Sequence, residues 1–385
     1  AKYQLQLIGA KEKFAAGNDE GEEIQPFTGE FRSRDRAFAY IGTKGTEKGR
    51  LILENWTRQT KTILTPENLV VFEFEPYPQG NKILFSAAEK NSGDNALLQL
   101  QVYRVNIGAN SDSPQSSKPE IELILDDREY QNNKFDLAEN GKVIVVQRVN
   151  RDNPNDFGLW LIEEDKPPQS LNDSPGGDFL IAPDSKTIAV AQGEGIALLP
   201  LQADGEPFDF LAKFGRVITF SADGSGAIMV NYNTDNPDLR YTRSLFYVNN
   251  VGVEKELLNL EGSILDCKFH PDNTHIYCLL TKLEKEEEYR EEPYLAQINL
   301  KTGELVPILA LPEYQDSKIS MAPDGRGILF EQILTTDSLS AFNLPTTSSG
   351  EAIVDSRIWL LIPSSTEAHR LQQLPLLGIN PQWIP

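Results

Sequence analysis

The sequence predicts an all-β fold, a β-propeller of seven four-stranded blades. Three observations carry that prediction. A short hairpin with a Pro-Asp-Gly type of turn recurs seven times, its turns are spaced as one blade per repeat requires, and helical periodicity is nearly absent. Eight blades, with one composite blade made from both termini, and six blades are the alternatives.

The copies begin with Phe31–Tyr40, Phe74–Phe85 and Phe135–Val146, and continue with Phe179–Val190, Thr219–Val230, Lys268–Leu279 and Ile319–Phe330. In the last, ISMAPDGRGILF, proline presets the first turn position and glycine supplies the positive φ of a sharp reversal. The turn residues Asp35, Gly80, Asn140, Asp184, Asp223, Asp272 and Asp324 stand roughly 40 to 60 residues apart, the period of a four-stranded blade. After each hairpin comes an alternating strand, from Gly49–Glu54 in the first unit to Arg357–Ile362 in the last. A polar turn then leads to a fourth strand, from Lys61–Leu64 to His369–Leu374.

Lettering the strands A to D from the axis outward makes the repeated hairpin A–B. The B–C connections then share one face and are the long, variable ones, where binding usually resides on a rigid scaffold. The carboxy-terminal GINPQWIP reads as the start of a further A strand, and YQLQLI near the amino terminus as a strand. Joining the two ends in one sheet would close the ring and remove exposed edges. The chain reads as one domain over 1–385, with 1–29 as closure segment and 30–385 as repeats.

The 385 residues carry 36 Lys and Arg against 57 Asp and Glu, a formal net charge of -21. That balance argues against nucleic acid, which is bound by neutralising phosphates. It suits a basic partner, a cation or plain solubility. No apolar run reaches the roughly 18 residues of a membrane span. The chain starts Ala-Lys-Tyr, without an initiator Met or a signal-like stretch, and reads as a processed product. Cys267 and Cys278 fall in one hairpin, which leaves open a cross-strand disulfide or two half-buried free thiols, the reading preferred here.

The turn cores Ala182-Pro-Asp-Ser-Lys, Ser221-Ala-Asp-Gly-Ser, His270-Pro-Asp-Asn and Ala322-Pro-Asp-Gly-Arg resemble the Ser-Pro-Asp-Gly-Lys repeat of TolB-type, WD-like β-propellers. Pro381-Gln-Trp-Ile-Pro resembles the strand preceding that turn in the same family. The likeness covers about residues 30 to 385 and is specific for the repeat, not for an activity. It implies an extracytoplasmic, envelope-associated location. The chain lacks the amino-terminal α/β domain of TolB, and has no room for the hydrolase domain of the related peptidases.

The turn Asp residues read as backbone caps of Asx turns and not as metal ligands. The three histidines, His270, His275 and His369, do not supply a triad or a zinc site, and no G-x-S-x-G elbow occurs. The acidic run Glu284–Glu292 lacks the order of a calcium loop and reads as solvated. Tyr and Arg are enriched at interface hot spots. On that basis Tyr232, Arg240, Tyr241 and Arg243, with Arg148, Arg151 and Phe157 from a second B–C loop, form the expected recognition surface.

The A strands read as mostly apolar, Ser and Ala. The resulting expectation is a monomeric, non-catalytic propeller that binds a protein or peptide partner, with no catalytic residue, metal or cofactor. The rival is a propeller enzyme of the lactonase or lyase kind, with a metal or acid/base site in the central channel.

Overall fold

The computed structural model describes residues 2–7, 27–32, 35–90, 98–108, 119–125, 128–164, 166–171, 177–193, 195–202, 209–232, 242–284, 290–311, 318–336, 352–364 and 368–385. Seven antiparallel sheets of four strands each make up the ring, as the repeat count predicts. Six blades are contiguous in sequence. Their inner strands are Leu69–Pro76 (blade 2), Tyr130–Leu137 (blade 3), Phe179–Ile181 (blade 4), Arg216–Phe220 (blade 5), Ile264–Phe269 (blade 6) and Ile319–Met321 (blade 7).

Blade 1 is composite. Its inner strand is the carboxy-terminal Gly378–Trp383, paired antiparallel with Ala37–Gly42, which continues to Leu51–Asn55 and Thr60–Ile63. The hairpin expected at Phe31–Tyr40 is therefore divided. Ala37–Gly42 is a B strand, while Phe27–Arg32 pairs with Lys2–Leu7 in a separate two-stranded sheet.

The hydrophobic core lies between blades. Each sheet is buried on both faces by its neighbours, and seven apolar clusters fill the seven blade-to-blade junctions. Phe135 and Val146 of blade 3 meet Leu84 of blade 2, and Val145 and Leu159 of blade 3 meet Ile188 of blade 4. Phe38 and Trp383 of blade 1 meet Leu329 and Leu360 of blade 7, so the ring closes through packing as well as through pairing.

The A–B turns behave as Asx turns. Asp184, Asp223, Asp272 and Asp324 each accept the backbone N–H two residues on, at 2.8, 2.9, 2.9 and 3.0 Å, and Asn140 does the same at 2.8 Å. Gly325 takes φ +72° and Asn273 takes φ 54°, the left-handed position of such a turn.

The expected free thiols are instead bonded: Cys267 and Cys278 form a disulfide. The register places them directly opposite on the inner hairpin of blade 6, with Cα atoms 4.1 Å apart and neither exposed. Alternation alone could not show that two half-buried positions share a rung. Changing both to serine is expected to lower stability by about 2–4 kcal/mol, read as a shift of the denaturant midpoint that adding reductant to the wild type reproduces.

Candidate active site in the central channel

Side chains two apart on a strand share a face. In blade 2 the inner strand presents Glu73 and Glu75 this way; in blade 3, Lys134 and Asp136; in blade 6, Asp266 and Lys268; in blade 1, Asn380 and Gln382. Aligning the seven A–B turns by their closing backbone bonds puts Glu75, Asp136, Lys268, Ser320 and Gln382 at one level. One step further from the turns lies a ring of charge. Round the axis from blade 2 it runs Glu73, Lys134, Asp178, Arg216, Asp266 and Lys318, alternating in sign. A β-bulge directly precedes Glu73, Lys134 and Asp266 on their strands, a device that re-aims a side chain.

The ion pairs show that these side chains converge. Lys134 pairs with Asp178 of the next blade, and Arg216 reaches the same carboxylate from the other side at 3.5 Å. Lys318 of blade 7 lies 3.4 Å from Glu73 of blade 2, so the two reach each other past the inner strand of blade 1. Lys268 sits 3.3 Å from Asp266. Lys318 keeps 59% of its side chain open. Water in the channel therefore screens these pairs, and they add little to stability; their importance is the field they set up.

The level nearer the turns laces the blades together. Asp136 accepts the N–H of Ile181 in the next blade at 2.5 Å, and Ser320 Oγ accepts the N–H of Trp383 at 3.0 Å. Gln382 Nε2 donates to the carbonyl of Phe74 at 2.7 Å.

Enclosure dominates the protonation of the carboxyls. Burial pushes Asp136 up to about 7, against the Ile181 N–H and Lys134, which pull it down. Glu75 is pushed well above the carboxylate range by burial first, then by the negative charge of Asp136 and Glu73. Glu331, 4% exposed on the strand behind Lys318, is raised by burial to about 7 while accepting the Lys318 backbone N–H at 3.3 Å. Asp178 goes the other way, because Lys134 and Arg216 outweigh its burial. The protein packed around Lys318 opposes its charge although the side chain is 59% open to the channel, but Glu73, Asp266 and Glu331 outweigh that and raise its pKa. The channel thus holds carboxyls that carry protons near neutrality beside carboxylates and ammonium groups that stay charged. Environments that push titratable groups apart in this way mark acid and base roles.

The reading of the A strands as mostly apolar is corrected by this geometry. Glu75, Asp136 and Lys268 already stood inside the repeated hairpins, and Glu73, Lys134 and Asp266 just upstream of them. Charged residues at i and i+2 before the turns of blades 2, 3 and 6 were the available signal.

Of the expected recognition surface, the structure describes the side chains of Arg148, Arg151 and Phe157. Arg148 is 2% exposed, its guanidinium carbon 4.2 Å from the Tyr130 ring centroid and 4.8 Å from that of Trp160. Arg151 is exposed and Phe157 is 45% exposed. Arg240 and Tyr241 lie outside the described residues, as do the side chains of Tyr232 and Arg243 at the ends of their strands. In the acidic run, 285–289 fall outside the described residues. Glu291 is 7% exposed and accepts Thr281 Oγ1 at 2.7 Å and Ser263 Oγ at 3.0 Å, so at this position the solvated-loop reading does not hold.

A separate cavity of about 340 Å³ opens between blades 7 and 1, lined by Arg36, Trp56, Asp324, Leu360 and Trp383 among others. Its walls are largely apolar and its charged rim pairs Arg36 with Asp324. The proton-carrying groups are in the channel.

The fold and site define a seven-bladed propeller with an ionisable central channel. No protein-family model matches the chain, and no curated protein matches it in sequence. Solved structures do. Oligogalacturonate lyase from Vibrio parahaemolyticus is similar at 12% identity and a TM-score of 0.56, over 94% of this chain and 99% of that one. A candidate 6-phosphogluconolactonase from Bacteroides uniformis is similar at 13% identity and a TM-score of 0.53, over 91% of this chain and 100% of that one. Prolyl oligopeptidase B from Galerina marginata is similar at 9% identity and a TM-score of 0.54, over 92% of this chain and 49% of that one. At these identities the likeness establishes the propeller fold. The TolB resemblance continues to rest on the turn residues.

The expectation of a non-catalytic binding propeller is corrected here. Two of the similar propellers, the oligogalacturonate lyase and the candidate 6-phosphogluconolactonase, carry enzyme names, which sides with the rival reading. The premise that weighed against the enzyme reading, A strands of mostly apolar, Ser and Ala positions, does not hold for this chain.

Proposed function

We propose that this chain is a propeller enzyme that performs acid/base chemistry in its central channel on a small carboxylated sugar derivative, as a lactonase or lyase does. The observation that carries the reading is the Asp136–Glu75 pair. Burial raises both carboxyls, Asp136 to about 7 and Glu75 well above the usual carboxylate range, so that one can be ionised while its neighbour keeps a proton, beside a ring of charges alternating in sign. In lactone hydrolysis, one ionised carboxylate would take a proton from the attacking water. A protonated neighbour would give its proton to the departing ring oxygen as the acyl C–O bond breaks. Lys134, Arg216, Lys268 and Lys318 supply the positive field for a substrate carboxylate or phosphate. The donor set favours proton transfer over metal chemistry, since the ring carboxylates face ammonium or guanidinium partners and no histidine occupies an inner-strand position facing the channel.

The Cys267–Cys278 disulfide supports an oxidising, extracytoplasmic compartment, where such bonds persist. The TolB-like turn cores point the same way.

The test is a panel of aldonolactones and uronate oligomers assayed with the full chain, following ester loss and the ultraviolet band of an unsaturated product. Turnover of any member that Asp136→Asn and Lys318→Met both suppress supports the channel reading. Turnover that survives both changes rejects the channel as its site.

A further inference from the structure

We propose that the A–B turn of blade 6 is a metal site, in which His270, Asp272 and His275 bind one divalent transition-metal ion of the zinc class. Two of the three histidines in the chain converge here on one carboxylate, and the candidate ligand atoms of all three residues lie within 4.8 Å of one another. His270 Nδ1 is 2.8 Å and His275 Nδ1 3.7 Å from Asp272 Oδ1. Ligand atoms on a tetrahedral zinc ion with bonds of about 2.0–2.1 Å stand about 3.3–3.5 Å apart. The two observed separations bracket that spacing, so small side-chain rotations would accept the ion.

The surroundings aim the donors. The imidazoles stack at a centroid distance of 4.3 Å with an interplanar angle of 21°, which puts both Nδ1 edges beside the same carboxylate. His270 Nε2 abuts Gly325 in the turn of blade 7, where an added Cβ would lie 2.4 Å from it, so Nδ1 is the edge left toward Asp272. Tyr277 packs edge-on against His275 at 5.3 Å. Asp272 is also the turn cap, accepting Thr274 N at 2.9 Å, and its side chain is 45% exposed, leaving a coordination position open to water or a small ligand. The site lies on the turn face of blade 6, apart from the channel carboxyls. Two imidazoles and one carboxylate with an open fourth position suit Zn²⁺ and the first-row ions near it.

The other blades supply mild substitutions. Position 270 is Ala182 or Ala322 elsewhere, position 275 is Thr187, and Asn140 shows that asparagine makes the cap of Asp272. The untagged chain is titrated calorimetrically with Zn²⁺, and with Co²⁺ while visible absorption is recorded. The expected result is one equivalent bound, a tetrahedral cobalt spectrum, at least tenfold weaker binding in Asp272→Asn, and no specific equivalent in the triple variant His270→Ala, Asp272→Asn, His275→Thr. No bound equivalent in the wild type, or undiminished binding in a folded triple variant, would overturn the proposal.

Discussion

Changing Asp136 to Asn is expected to lower turnover by about a hundred- to ten-thousand-fold, the range for loss of a positioned acid/base group, and to remove the near-neutral limb of the pH–rate profile. The amide keeps the size of the side chain and an oxygen to accept the Ile181 N–H, so the lacing of blades 3 and 4 remains. What disappears is a proton held up to about 7. The same group predicts a stability signature. Its folded pKa lies above its unfolded value, so the native state holds a proton that the unfolded chain releases. That contribution is complete below the ordinary carboxylate range and is lost as pH rises through about 7. Thermal melts at pH 4.5 and pH 8, as settings of about these values, should therefore show Asp136→Asn relatively more stable at the higher pH. A pH-independent difference would show that Asp136 titrates normally. The Glu75→Gln variant should shift in the same direction, because burial and the charge of Asp136 raise Glu75 as well.

Trp383→Ala is expected to cost about 3–5 kcal/mol, the usual loss for a buried large aromatic, and to make unfolding less cooperative. Trp383 is 7% exposed and belongs to the strand that completes blade 1. Its ring meets Phe38 at 5.8 Å and Trp56 at 5.4 Å, both edge to face. Removing it opens the junction of blades 7 and 1, the one closed by strands from opposite ends of the chain. Trp383→Phe should cost clearly less. It retains an aromatic in the cluster and removes an indole N–H that has no hydrogen-bond partner among the described residues. Chemical denaturation of both variants checks the order; equal losses would mean that ring size, and not aromatic contact, governs the seam.

Blade number, turn chemistry and the all-β class were legible in the sequence, because each depends on residues close together. An Asp two residues before the N–H it caps, a glycine in the left-handed position and strands alternating at period two are local, and seven copies reinforce one another. Which strand fills the inner place of blade 1 was not local. Gly378–Trp383 and Ala37–Gly42 are more than three hundred residues apart; GINPQWIP reads as an A strand, but its pairing with Ala37–Gly42 in place of a hairpin from Phe31 is seen only in the folded ring. The channel was hidden for the same reason. Glu73 with Glu75, Lys134 with Asp136, and Asp266 with Lys268 each look like the solvated face of an ordinary strand when read singly. Closing the ring places their strands around one axis, where enclosure raises some carboxyls, ion pairs lower others, and a series of separate charges becomes a site. By itself the sequence determined the repeating unit. The tertiary structure decided which charges face one another, since electrostatics in the channel depend on distances that only the closed ring sets.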